Sequence, residues 1–129
     1  MPTEDTPAYT PSLLGVLNLS PESMVEESIA VGADALAERA APLARTGADW
    51  IDIGGRSITP DAPMIGDETE LARLKQALEL LKGAGSDRFH YRVSVDTWSA
   101  ETGRRALELG ADGVNYTGGP LPTGLLDAV

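Results

Sequence analysis

The chain has 129 residues, 42% of them hydrophobic and 23% charged, and no cysteine. This is globular composition, which excludes collagen-like, coiled-coil and disordered classes, and the missing thiols exclude disulfides, thiol catalysis and thiolate metal sites. Twenty acidic against ten basic residues leave a net charge of −10, which repels nucleic acid. No apolar run nears the ~20 residues that span a bilayer, and the acidic start Met1-Pro2-Thr3-Glu4-Asp5-Thr6 has no apolar signal-peptide core. The expectation is a cytoplasmic protein free of membrane and nucleic acid.

Residues 1–12 carry Pro2, Pro7 and Pro11 and read as a loose arm. Leu13 to Asn18 is a short apolar run ending in a polar residue, the length of a buried strand. Between Glu26 and Thr46, Ile29, Ala33, Leu36, Ala40 and Leu43 recur at helical spacing, with Pro42 predicting a kink or early break. Trp50-Ile51-Asp52-Ile53 is the second strand, followed by a loop from Gly54 to Gly66. Asp67 and Glu70 form a capping-box pattern before a helix whose stripe is Leu71, Leu74, Leu78 and Leu81, with Gly83 at its end. Tyr91 to Asp96 alternates as a third strand, and Ser99 opens a third helix that closes at Gly110. Gly113-Val114-Asn115-Tyr116 is a fourth strand, and the tail from Leu121 to Val129 begins a further apolar element.

The order βαβαβαβ with helical crossovers specifies a parallel sheet. Gly47-Ala48-Asp49 before the second strand is echoed by Gly110-Ala111-Asp112 before the fourth, a period of two βα units. That period suits a (β/α)8 barrel. A doubly wound dinucleotide-binding sheet would carry a glycine fingerprint after its first strand, where this chain has Asn18-Leu19-Ser20-Pro21. The predicted fold class is therefore α/β, the N-terminal half of a (β/α)8 TIM-type barrel with four parallel strands and crossover helices.

Each predicted strand ends in a polar group: Asn18, Asp52 before Gly54-Gly55, Asp96-Thr97, and Asn115. A lone Asx residue after a strand most often caps the next helix or makes a turn. Four of them on the carboxyl ends of parallel strands share the face where such folds bind ligands. Carboxylates beside carboxamides match the alternating donors and acceptors of a heterocycle edge, and a carboxamide oxygen such as that of Asn18 can ligate a hard divalent cation. His90, at the far end of the third strand, lacks partners for metal or triad chemistry, and Trp50 and Trp98 read as packing residues.

These segments resemble the dihydropteroate synthase family. The resemblance is carried by Leu14-Gly15-Val16-Leu17-Asn18-Leu19-Ser20-Pro21-Glu22-Ser23, by Ala48-Asp49-Trp50-Ile51-Asp52-Ile53-Gly54-Gly55-Arg56-Ser57, by Val93-Ser94-Val95-Asp96-Thr97 and by Gly110-Ala111-Asp112-Gly113-Val114-Asn115, four motifs in the family's order. It implies a (β/α)8 barrel that condenses 6-hydroxymethyl-7,8-dihydropterin diphosphate with 4-aminobenzoate in folate biosynthesis, releasing diphosphate. By resemblance Asp96 is the catalytic residue, Asp96 and Asn115 line the pterin pocket, Asn18 holds Mg²⁺ and the diphosphate, and Ser57, Thr59 and Pro60 border the aminobenzoate. Where the family has Glu-Ser-Thr-Arg-Pro this chain reads Arg56-Ser57-Ile58-Thr59-Pro60, and Tyr116 stands where the family has aspartate after asparagine. The match makes residues 13–129 a pterin-binding half-barrel, expected to complete itself as a homodimer or against a second half-barrel chain. The alternative expectation is a non-catalytic pterin-binding or scaffold subunit paired with another chain.

Overall fold

In the computed structural model, residues 11–19, 33–56, 64–83 and 91–129 are described. They form β1 (Leu14–Asn18), α1 (Ala33–Arg45), β2 (Trp50–Gly54), α2 (Asp67–Lys82), β3 (Arg92–Thr97), α3 (Ala100–Glu108), β4 (Gly113–Tyr116) and α4 (Thr123–Ala128). The strands pair in the order β1-β2-β3-β4, every pair parallel. Sequential order with the helices on one face is the barrel arrangement; a doubly wound sheet reverses its order and carries helices on both faces. Residues 1–10 of the expected arm, the start of the helix expected from Glu26, and His90 lie outside the described residues.

Register divides the sheet into two chemistries, because successive side chains point to opposite faces. Leu17, Ile53, Val95 and Val114 are partners across the four strands, with Gly15, Ile51 and Val93 one layer below. Ile51, Ile53, Val93 and Val95 are fully buried, packed in one core with Leu36 and Ala40 of α1, Leu74, Ala77, Leu78 and Leu81 of α2, and Ala106 of α3. Burying each such aliphatic side chain contributes about 1.5–3 kcal/mol. At Gly15 a Cβ would come within 2.9 Å of Leu43, so α1 lies directly on β1 only because no side chain is there. The other face carries Leu14, Val16, Asn18, Trp50, Asp52, Ser94, Asp96 and Asn115, with no helix over it among the described residues. Leu14 and Val16 are about half exposed there, at 52% and 48%.

The repeated Gly-Ala-Asp connectors set this register. Gly47 and Gly110 take φ of +93° and +108°, the left-handed conformation that lets the chain leave a helix and turn back. Two residues later Asp49 accepts a hydrogen bond from Leu13 N at 2.8 Å, and Asp112 accepts one from Val93 N at 2.8 Å. Each carboxylate thus ties the start of the neighbouring strand, and Lys82 Nζ meets Asp112 Oδ2 at 2.6 Å from α2.

Three local expectations differ from the structure. The first helix continues through Pro42 to Arg45 without a break; one turn from the helix end, the proline removes a single hydrogen bond and leaves little helix to disrupt. The helix α2 has Gly66 as N-cap with no side-chain cap, so Asp67 and Glu70 form no capping box. Both acids are engaged elsewhere. Glu70, 1% exposed, accepts from Thr97 Oγ1 at 3.0 Å and lies 2.9 Å from Arg56 Nε. Asp67 pairs with the Arg56 guanidinium and accepts from Ser99 Oγ at 2.9 Å. Gly83 ends α2 as expected, and a Cβ there would collide with the Glu79 carbonyl oxygen. The third strand is shifted by one residue to Arg92–Thr97, since Thr97 pairs with Tyr116 of β4. Ser99 caps α3 as expected, accepting from Thr102 N at 3.2 Å.

Arg56 is therefore a buckle between the end of β2 and the N-termini of α2 and α3, with its guanidinium also 4.8 Å from the Trp98 ring. Removing one partner of a buried pair leaves an uncompensated charge. Arg56→Ala is expected to lower the unfolding free energy by about 3–5 kcal/mol in a urea titration, and adding Glu70→Gln is expected to recover part of that loss; an unchanged midpoint in the single variant would contradict the pairing.

Candidate functional site

The carboxyl ends of the strands form one row: Asn18 pairs with Gly54, Gly54 with Asp96, and Asp96 with Asn115. Three of the four polar strand ends predicted from the sequence thus stand side by side. Asp52 does not belong to this row. It sits one layer deeper, paired between Val16 and Ser94, while glycine occupies its expected place. A Cβ on Gly54 would lie 3.8 Å from Asn18 Oδ1 and 3.9 Å from Asp96 Cβ, so the glycine keeps the space between those two side chains open.

The deeper layer supports the upper one. Asp52, 3% exposed, accepts from Ser94 Oγ at 2.6 Å through Oδ1, and Asn115 Nδ2 approaches its Oδ2 at 3.5 Å. Asp96 Oδ1 accepts from Thr117 Oγ1 at 3.3 Å. Burial pushes the Asp52 carboxyl above its ordinary value, with the Ser94 and Asn115 hydrogen bonds opposing the shift. Burial also raises Asp96, the charge of Asp52 adds to the rise, and the Thr117 hydroxyl opposes it. Ser94 and Thr117 are contributors the strand-end reading did not identify. Both lie two residues from a predicted site residue along the chain, so strand alternation alone places Ser94 on the face of Asp96.

A cavity of about 380 Å³ opens on this face toward the amino ends of the strands, lined by Leu14, Trp50, Asp52, Ser94, Gly113 and Asn115, with Asn18 and Asp96 outside its lining. Trp50 is half-buried; its ring reaches to within 3.3 Å of where a Gly113 Cβ would stand, with the Arg92 guanidinium 5.6 Å from it. It packs within the open face, and Trp98 packs under Arg56. Ser57, Thr59 and Pro60, predicted to border the second substrate, lie outside the described residues. Among the described residues no group of three His, Cys, Asp or Glu side chains could hold a metal, and no helix is long and apolar enough to cross a membrane.

A four-stranded parallel sheet in sequential order with its helices on one face is the arrangement of consecutive strands in a (β/α)8 barrel, and the carboxylates and carboxamides gather at the strand ends where such folds bind ligands. The sequence pattern of the pterin binding enzymes matches residues 14–120, and the chain belongs to that family. It is 35% identical over 103 residues to the mitochondrial folate synthesis bifunctional protein of Arabidopsis thaliana, covering 80% of this chain and 18% of that protein. It is 36% identical over 108 residues to the inactive dihydropteroate synthase 2 of Mycobacterium bovis, covering 83% of this chain and 32% of that one. The crystal structure of Anaplasma phagocytophilum dihydropteroate synthase with bound 6-hydroxymethylpterin-monophosphate superposes with a TM-score of 0.70 at 33% identity, covering 93% of this chain and 42% of that one. The chain therefore spans less than half the length of these relatives, in the part that forms the first strands of a TIM-type barrel.

The raised carboxyls have a consequence for stability. A folded-state value above the unfolded one means that the fold disfavours the ionised form, so the contribution to stability is full below the unfolded value and is lost as pH rises through the folded one. Asp52→Asn removes that penalty and relieves Asp96. Relative to the parent, the variant is expected to gain stability as pH rises above the ordinary carboxylate value and to hold that gain at higher pH, read from thermal melts across the acidic to neutral range. A difference that stays flat across the whole range or shrinks with rising pH would contradict the assignment.

Proposed function

We propose that this chain carries the pterin-recognising part of a dihydropteroate synthase-type site, serving the condensation of 6-hydroxymethyl-7,8-dihydropterin diphosphate with 4-aminobenzoate. The observation that carries this reading is the in-register pair Asp96–Asn115 above the buried Asp52. A carboxylate next to a carboxamide offers acceptors beside a donor, the complement of an aminopyrimidinone edge. In the reaction the amine nitrogen forms a bond to the exocyclic methylene as the carbon–oxygen bond to diphosphate breaks, and the amine gives up a proton. Asp96, close against the ring, would stabilise the positive charge that develops as the diphosphate departs.

In this reading Asn18 would hold Mg²⁺. The space kept open by Gly54 lies between its carboxamide oxygen and Asp96, and Mg²⁺ is commonly held by one or two protein oxygens together with waters and substrate phosphates. When bound there it would neutralise charge on the leaving diphosphate. The open face and the edges of β1 and β4 favour completion of the barrel by further strands, and a cysteine-free chain suits a cytoplasmic setting.

A second reading, a pterin-binding subunit without synthase activity, is favoured by Arg56. The residue that opens the family's Glu-Ser-Thr-Arg-Pro segment is here a buried cation committed to Asp67 and Glu70.

Calorimetric titration with the dihydropterin diphosphate and Mg²⁺ tests the site. Binding is expected to weaken about tenfold or more in each of Asp96→Ala and Asn115→Ala, the loss of hydrogen bonds between charged or polar groups and a ligand. Affinity that survives both substitutions would overturn the pocket. Product formation with 4-aminobenzoate would decide for the synthase over the non-catalytic subunit.

A further inference from the structure

A carboxamide has nearly the same shape in its two flipped orientations, yet they exchange donor for acceptor. An asparagine therefore reads a ligand edge unambiguously only if a neighbour discriminates between its ends. Asp52 is placed to do so. Its Oδ1 is taken by the Ser94 hydroxyl at 2.6 Å, and its Oδ2 faces Asn115 Nδ2. An ionised carboxylate accepts and cannot donate, so the flipped amide would set its oxygen against the buried Asp52 carboxylate across a part-buried contact, two acceptors facing each other. Asp96, the other acid beside Asn115 in the register, is already engaged by Thr117. A buried carboxylate is expensive to keep for stability alone, since an apolar side chain of similar size often serves as well or better.

We propose that Asp52 is a positioning residue that holds the Asn115 carboxamide with its amino group inward and its carbonyl oxygen toward the mouth of the sheet face. The ligand then meets a fixed pattern: the acceptors of Asp96 beside one acceptor and one remaining N–H of Asn115. That pattern selects a heterocycle presenting adjacent N–H donors followed by an acceptor, and it disfavours the isomeric edge. The contact of 3.5 Å is long enough to tighten when a ligand draws on the carbonyl. The inference rests on the pterin reading for the identity of the ligand, and on the Ser94–Asp52–Asn115 chain for its mechanism.

The test is a double-mutant cycle on the full chain with 6-hydroxymethyl-7,8-dihydropterin diphosphate as probe. Asp52→Leu is expected to weaken binding about tenfold to a hundredfold, the range of a lost hydrogen bond to a charged group, while its melting temperature at neutral pH holds or rises. Asp52→Asn, whose amide can turn its oxygen to Asn115 and its amino group to Ser94, is expected to keep most of the affinity. Combining Asp52→Leu with Asn115→Ala should cost no more than Asn115→Ala alone. Additive losses, or parental affinity in Asp52→Leu, would overturn the proposal. Asp52→Ala provides the same readings if leucine prevents folding. A ligand-free readout separates this inference from the pterin reading: the side-chain NH₂ resonances of Asn115, identified by their loss in Asn115→Ala, should shift when Asp52 becomes leucine or alanine. Resonances that stay in place would overturn the positioning role. Shifted resonances in a parent chain that binds no pterin would support the positioning role and overturn the pterin reading.

Discussion

The in-register parallel pairing of four short strands is the constraint on which everything else in this molecule depends. Because side chains alternate, Leu17, Ile53 and Val95 fall on one face and Asn18, Asp96 and Asn115 on the other only while Leu17 stays opposite Ile53 and Asp96 opposite Asn115. A slip of one residue in any strand would carry a carboxylate into the aliphatic layer beneath the helices and an aliphatic side chain into the polar row. The penalty for burying an unpaired charge far exceeds the worth of any single contact. The two Gly-Ala-Asp connectors protect that register locally, with a left-handed glycine to turn the chain and an aspartate that accepts from an N–H at the start of the neighbouring strand.

With the register set, the polar face is built in two depths that do different things. The outer row of Asn18, Asp96 and Asn115 is where a ligand's edge would be read. The inner layer, Asp52 with Ser94, is buried and acts on the outer one through hydrogen bonds and charge: Asp52 meets the Asn115 amide, and its charge adds to the rise that burial gives Asp96. Two carboxylates this close, both shifted upward, are a burden on stability that the helix-covered core offsets. Such pairs gather where a structure is arranged for binding or chemistry. The overall charge of −10 does not conflict with this, since recognition of a neutral heterocycle edge rests on local donors and acceptors.

The alternation of strands and helices, the parallel sheet and the barrel order were all legible in the sequence, because each element carries its own period and the βα connections are long. Asn18, Asp96 and Asn115 were legible as strand-end residues for the same reason. The depth of Asp52 was not, since only pairing with β1 and β3 shows that Gly54 takes the rim and Asp52 the floor. Ser94 could have been found two residues before Asp96 by alternation. The misread capping box is more instructive: Asp67 and Glu70 have the right spacing for one, but Arg56 and Thr97, far away in sequence, bring a buried cation and a hydroxyl that outcompete the local backbone N–H groups. Pro42 likewise carries an intrinsic penalty whose effect depends on how much helix follows it.

The measurement that tests this account most directly is a crystal structure of the chain soaked or co-crystallised with 6-hydroxymethylpterin monophosphate. The account predicts the bicyclic ring on the open sheet face, its donor-bearing edge within hydrogen-bond distance of the Asp96 carboxylate, the Asn115 carbonyl oxygen turned to the ligand, and the Asn115 amino group on Asp52. A pterin bound on another surface, or seated in the cavity with Asp96 and Asn115 both untouched, would contradict it.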